Sequence, residues 1–317
     1  MGFARAPGKL MLLGEHSVVY GRKCIVTSTD SFCDALAEKH EDYYFNLPDV
    51  GFQGTVNDLA LAPKEASFVA AAVNNFSKKY GIPTKVKITT KTRYAKKYGL
   101  GSSSAASVAT VRALDRLFET RISNPELFKV AYSAVLDVQK AGSGFDVAVG
   151  VYGGTLLYQN RNQVQEASQI DIKKLDLIVA YTGVSTSTVN IVKEVAESRK
   201  SNHQFYENLF DQIEELVKNA QATLEKGDMK KLGELFNHNQ EILRSFKAPG
   251  KLGVSSEKIE ELITAARNAG AYGGKLSGSG IGDCIIVATP EESRDDVLQA
   301  LTERGGEIVA CNLNIHV

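Results

Sequence analysis

Apolar and polar positions alternate over residues 1–13, with an interruption at Pro7-Gly8, and this period of two predicts a strand. Similar alternation predicts strands over 24–27, 32–36 and 43–47, with turns at the polar breaks between them. Residues 63–79 change period: Phe68, Ala71, Ala72 and Phe76 fall on one stripe, as in an amphipathic helix closed by Gly81. Val86, Ile88 and Thr90 return to the strand period, and Val108, Val111, Leu114 and Phe118 to the helical one. A helix over 125–140 leads to a turn, a short helix and a strand ending near Tyr158. Residues 159–175 read as a polar connection before a buried strand over 175–181. A domain boundary is expected there, giving units 1–165 and 166–317. The second unit reads as helices around 192–196, 205–224, 229–246 and 256–268, with Gly270 as a C-terminal cap, and a buried strand at 285–287.

Three glycine-rich stretches punctuate this pattern and carry the candidate chemistry. The middle one, Gly99-Leu100-Gly101-Ser102-Ser103-Ser104, joins a strand to a helix N-terminus. The first N–H groups of a helix have no partner inside it and the dipole there is positive, so an anion is favoured, and glycines let it approach. The stretch reads as a phosphate cradle, with the serines supplying hydroxyl donors or a magnesium ligand; Ser as an ordinary helix cap is the alternative. Near the start, Lys9, Glu15 and His16 crowd tight backbone in an apolar segment, where charges need partners. Near the end, Gly278, Gly280 and Gly282 alternate before a strand, consistent with close backbone approach or a glycine-rich hairpin. It is no dinucleotide fingerprint, because no strand precedes it at the right place and no helix follows directly. Neither cluster is a Walker A loop. Asp146 is the one acid in the small, apolar run after Gly142-Ser143-Gly144, and reads as a helix N-cap or a catalytic carboxylate. His238, in a polar knot on a helix, reads as a hydrogen-bonded residue rather than a ligand.

Composition narrows the partners. Lys plus Arg equals Asp plus Glu at 37 each, so no global field recruits nucleic acid or an anionic membrane. Cys24, Cys33, Cys284 and Cys311 are scattered without metal-ligand or disulfide spacing. No apolar run approaches the ~20 residues that span a bilayer, and no signal-peptide pattern is present, so a cytoplasmic protein with a small-molecule substrate is expected.

Taken together, Ala6-Pro7-Gly8-Lys9-Leu10 with Gly14-Glu15-His16-Ser17-Val18-Val19-Tyr20-Gly21, the 99–105 loop, and the stretch from Lys275 to Cys284 resemble the three motifs of the GHMP small-molecule kinases over nearly the whole length. The resemblance implies an α+β fold in two domains: an N-terminal, ribosomal-S5-like nucleotide-binding domain with motifs 1 and 2, and a C-terminal, ferredoxin-like domain with motif 3. It implies ATP and Mg²⁺ as cofactors. Phosphates would bind on Lys97, Gly99, Leu100, Gly101, Ser102, Ser103 and Ser104, and the metal on Ser102 or Ser103. Asp146 falls on the family's catalytic aspartate and Lys9 on a lysine orienting the reacting groups, the pair sustaining each other's charge. Glu15, His16, Ser143, Gly278, Ser279 and Gly280 would surround the acceptor, and a homodimer is compatible. Within the family the 14–21 stretch, Asn237-x-Asn239-Gln240 and Leu252-Gly253-Val254-Ser255 are similar to mevalonate kinases. Lys96-Lys97, Gly142 to Val147 and Gly282-Asp283-Cys284 look more like phosphomevalonate kinases. Mevalonate kinases carry a metal-binding glutamate on the preceding helix; here the nearby acid is Asp137, at a shorter spacing. Mevalonate is the expected acceptor and mevalonate 5-phosphate the alternative. A decarboxylase of the same fold lacks locatable substrate-phosphate contacts, a non-catalytic sensor would lose Lys9 or Asp146, and an RNA-binding module would need a basic face.

Overall fold

The computed structural model describes residues 1–82, 85–92, 98–162, 164–172, 175–310 and 312–316. The chain is α+β, built around two sheets. The first holds β1 (Gly2–Leu13), β2 (Cys24–Lys39), β3 (Tyr44–Leu47), β4 (Phe52–Thr55), β5 (Val86–Thr92), β6 (Thr155–Arg161) and β7 (Val164–Gln169), in the order β4-β3-β5-β2-β6-β7 with β1 also paired to β2. Four helices accompany it: α1 (Lys64–Tyr80), α2 (Ser102–Phe118), α3 (Asn124–Gln139) and α4 (Phe145–Tyr152). The second sheet, in the order β11-β8-β10-β9, holds β8 (Leu177–Tyr181), β9 (Gly273–Ser277), β10 (Cys284–Ala288) and β11 (Glu307–Ile308). Around it lie α5 (Thr188–Ser201), α6 (His203–Lys226), α7 (Met229–Arg244), α8 (Glu257–Asn268) and α9 (Arg294–Glu303). No helix among the described residues is long and apolar enough to cross a membrane.

Pro7-Gly8 does not break β1; the register against β2 shifts there, as a bulge allows. The turns expected inside residues 24–39 are absent, because β2 runs straight through Ser28, Thr29 and Asp30. Those polar side chains serve the C-terminal segment that returns to this sheet. Ser28 Oγ donates to Ile315 O at 2.8 Å, and Asp30 accepts from Asn312 N at 2.9 Å and Nδ2 at 2.6 Å. The division expected between 165 and 166 falls inside β7, which pairs with β6; the change of sheet comes between Gln169 and Leu177. β9 was invisible in the pattern because Gly-Gly-Lys-Leu-Ser has poor strand propensity. It exists because the glycines let α7 lie against it: a Cβ on Gly273 would sit 2.0 Å from Gly233 O. The third glycine cluster is therefore the connection of an antiparallel hairpin, β9 to β10.

Two buried cores result. One packs α1 to α4 on the first sheet; the other packs the second sheet with α6 to α8 and takes in Leu10, Leu12, Leu13 and Leu100 from the first half. That shared core fixes the strand carrying Lys9 against the hairpin carrying the third cluster.

Candidate active site

The loop before α2 turns on Gly99 and Gly101, at φ of 68° and 78°, a region that L side chains rarely adopt. Crowding adds a second reason. A Cβ on Gly101 would lie 2.8 Å from Lys9 Cγ, and one on Gly99 3.0 Å from Asp283 Cγ. The helix has no side-chain cap, so the N–H groups of its first turn lack partners within the helix, an arrangement that favours an anion. Ser as cap is thereby set aside: Gly101 holds the N-cap position. Leu100 contributes differently from the expectation. Its side chain is core, and its carbonyl accepts the Lys9 backbone N–H at 2.9 Å. Lys97 lies outside the described residues, with Arg93 and Lys96.

Across the cavity stands Asp146, in the first turn of α4. The N-cap is Gly144, which settles that Asp146 does not cap this helix. Its Oδ2 accepts from Ser104 Oγ at 2.5 Å and its Oδ1 from Val147 N at 3.0 Å. The turn beneath is held by Ser143 O, which accepts from Tyr158 OH at 2.6 Å and Asn160 Nδ2 at 2.9 Å. Gly144 is required there, because a Cβ would meet Tyr132 and Tyr158 at 2.9 Å. Lys9 does not pair with Asp146 as expected. Its Nζ donates to Gly99 O at 2.9 Å and lies 5.7 Å from the Phe145 ring centroid. Both side chains line one cavity of about 340 Å³, together with Ser102, Ser103 and Ser104, His16, Ser143, Gly278 and Ser279. A second, smaller depression of about 20 Å³ is also lined by Ser102 and Ser103, together with Leu47, Asp49, Val69, Thr90 and Thr92.

Three expected residues are placed otherwise. Asp137 does not enter the cavity lining; its carboxylate accepts from Asn75 Nδ2 of α1 at 2.9 Å, so the spacing on α3 turns it away. Gly280 packs against residue 254, where a Cβ would lie 2.0 Å from Val254 O, rather than lining the cavity. Glu15 borders the cavity, but its side chain has no exposed surface and is ion-paired with Lys275 Nζ. Burial pulls the Lys275 ammonium below its ordinary value, while the Glu15 charge works the other way. Lys275 and Asp283 carried no assigned role in the sequence. Because the strand carrying Lys275 is itself hidden in the pattern, its burial and its need for a partner carry no local signal. Asp283 also lines the cavity; its carboxylate is held by Thr186 N at 3.3 Å and Oγ1 at 3.2 Å, and burial pushes its pKa up against the nearby Lys9 charge.

His16 sits at φ 60° and ψ −47°, at the centre of a tight turn closed by Ser17 N donating to Glu15 O at 2.6 Å, with Nε2 donating to Ser279 O at 3.0 Å and its ring edge on Phe246. Burial pulls the imidazole pKa down to about 4, the Ser279 contact opposing. A neutral ring is thus native near pH 7. Between about pH 6.5 and 4 the unfolded chain binds a proton that the folded one refuses, so His16 makes stability fall as pH drops through this window and leaves it flat above. His16→Asn is expected to flatten the acid slope of Tm between pH 6.5 and 4.5; an unchanged slope would assign the acid sensitivity elsewhere.

The described residues hold no cluster of three His, Cys, Asp or Glu side chains that could bind a metal alone. Hard hydroxyl and carboxylate oxygens beside a phosphate cradle suit Mg²⁺, which keeps water and phosphate oxygens as most of its ligands.

Comparison with known proteins agrees with this geometry. Residues 67–154 match the GHMP kinases N terminal domain and residues 220–307 the GHMP kinases C terminal domain. The mevalonate kinase of Pyrococcus abyssi is 32% identical, the alignment covering 96% of this chain and 92% of that protein. Two solved structures share the fold. L. major mevalonate kinase in complex with R-mevalonate superposes with a TM-score of 0.80 at 24% identity, covering 99% of this chain and 96% of the other. Streptococcus pneumoniae phosphomevalonate kinase in complex with phosphomevalonate and AMPPNP gives 0.84 at 20% identity, covering 99% and 100%. The chain belongs to the GHMP kinase family and is an ATP-dependent small-molecule kinase.

Proposed function

We propose that this kinase transfers the γ-phosphoryl group of ATP to the 5-hydroxyl of mevalonate. The observation that carries the reading is the convergence of the α2 N-terminus, Lys9 and Asp146 on one cavity, in a chain 32% identical to a mevalonate kinase over 96% of its length. The nucleotide would approach from the smaller depression at Ser102 and Ser103, and mevalonate would occupy the larger cavity. The α2 N–H groups hold the phosphates, and the Lys9 ammonium leaves the Gly99 carbonyl to meet the charge developing on the transferring oxygens. Asp146, oriented by Ser104 and the Val147 amide, takes the proton of the acceptor hydroxyl as that oxygen bonds to the γ-phosphorus and the bond to the β-bridging oxygen breaks. Ser102 and Ser103 would hold Mg²⁺, which when bound neutralises phosphate charge. Asp137 has no part in this reading.

Mevalonate 5-phosphate remains the second acceptor, favoured by the Gly282-Asp283-Cys284 string and by Lys96-Lys97. Against it, Lys9 is the one cation lining the cavity among the described residues once His16 is neutral, while Asp146 and Asp283 both face it. A further phosphate dianion finds little compensation there. Phosphorus NMR of a reaction with ATP, Mg²⁺ and mevalonate tests the proposal: ADP and one phosphomonoester are expected, and no new ester from mevalonate would overturn it.

A further inference from the structure

We propose that Glu15 and Lys275 form a buried strut that positions the acceptor wall, so that Glu15 acts on substrate affinity through His16 and the 277–279 segment without touching substrate. The inference rests on reading the larger cavity as the acceptor pocket. Glu15 follows β1 in the first half of the chain, and Lys275 is the centre of β9 in the second. Both side chains have 0% exposure. Each Glu15 oxygen is engaged: Oε1 with Lys275 Nζ, and Oε2 with Asn239 Nδ2 of α7 at 3.3 Å. Lys275 also donates to Leu276 O. With its side chain unexposed and both oxygens engaged, this carboxylate is satisfied within the protein. The Asn239 amide oxygen is buried with no hydrogen-bond partner, so this residue accepts an unfavourable placement at one end while its other end orients Glu15.

The residues on either side of the strut are those that face the cavity. His16 adjoins Glu15 and reaches across to Ser279 O at 3.0 Å. Two residues beyond Lys275, Ser277 Oγ donates back to Met11 O at 2.8 Å, and Ser279 Oγ to Thr188 Oγ1 at 3.3 Å. Two contacts between the halves, His16 to Ser279 and Ser277 to Met11, thus flank one charge pair whose geometry is fixed by a strand on one side and a helix on the other. An apolar pair of similar volume fills such a space with equal or better stability, but it carries no directional bond to set the register. That difference separates a positioning role from a packing one.

The test compares Glu15→Gln, Lys275→Met and the double variant Glu15→Leu/Lys275→Met in the full chain. Each single variant is expected to raise KM for mevalonate tenfold or more, with KM for ATP within about twofold of wild type. The double variant should recover Tm toward wild type while the acceptor KM stays raised. Recovery of both together, or an equal rise in KM for ATP, overturns the strut. Imidazole NMR supplies a readout independent of the acceptor. The His16 resonance, assigned by its loss in His16→Asn, is expected to titrate well below the ordinary imidazole value in wild type, and its shift at neutral pH should move in the double variant as the ring loses its fixed contact with Ser279 O. If wild type ignores mevalonate, the functional reading falls by itself, and an unchanged His16 resonance at neutral pH in the double variant still refutes the strut.

Discussion

Asp146→Asn is expected to lower kcat by roughly 10²–10⁴, the range spanned by loss of a positioned general base, with little change in KM for either substrate or in Tm. The structure separates the chemical role from the structural one. Helix α4 starts from Gly144, so its N-terminus does not depend on the Asp146 carboxylate. An amide can keep its oxygen on the Val147 N–H and donate its nitrogen to Ser104 Oγ, whose hydroxyl turns to accept, which preserves the local arrangement while removing the proton acceptor. Steady-state kinetics with a parallel thermal melt decide it. Turnover near wild type would remove Asp146 as the base, and unfolding would assign the carboxylate to holding α4 on α2.

Gly101→Val should be the other severe substitution, lowering kcat/KM for ATP by roughly 100-fold, equivalent to about 2.7 kcal/mol. Two effects combine. The backbone at φ 78° penalises any β-carbon, and that carbon would sit 2.8 Å from Lys9 Cγ and 3.3 Å from Lys9 Cε. The sequence argument foresaw a clash with the phosphate alone. Because the clash reaches Lys9, kcat should fall together with a rise in KM for ATP, whereas the acceptor KM changes less. Acceptor KM rising as much as that for ATP would mean general collapse of the loop.

The features legible in the sequence were those written within a few adjacent residues. Strand, glycine pair, serines and helix stand next to one another from Val86 to Phe118, and the glycine-serine loop enters α2 where that order places it. Asp146 was marked by its apolar neighbours. What stayed hidden depends on distant pairing. Glu15 and Lys275 are 260 positions apart, and neither residue alone announces that the other neutralises it. The polar run at 28–30 imitates a turn, because the residues it satisfies come from positions 312–315. Asp137 is the acid nearest the place of the family's metal-binding glutamate, at a shorter spacing; one helical turn of α3 decides which face it shows, and that face meets Asn75. β9 hid behind its glycines, whose reason is the close approach of α7.

The acceptor assignment is the central claim, and the ratio of kcat/KM for mevalonate to that for mevalonate 5-phosphate tests it most directly. Lys96 and Lys97 carry the competing signal: as a solvated strand end they leave the ratio untouched, and as ligands of a 5-phosphate they would each add a charge-assisted contact. Wild type is predicted to favour mevalonate by roughly tenfold or more, about 1.4 kcal/mol, with the ratio unmoved in Lys96→Ala/Lys97→Ala. A tenfold preference for the phosphorylated acceptor, erased in that double variant, would contradict it.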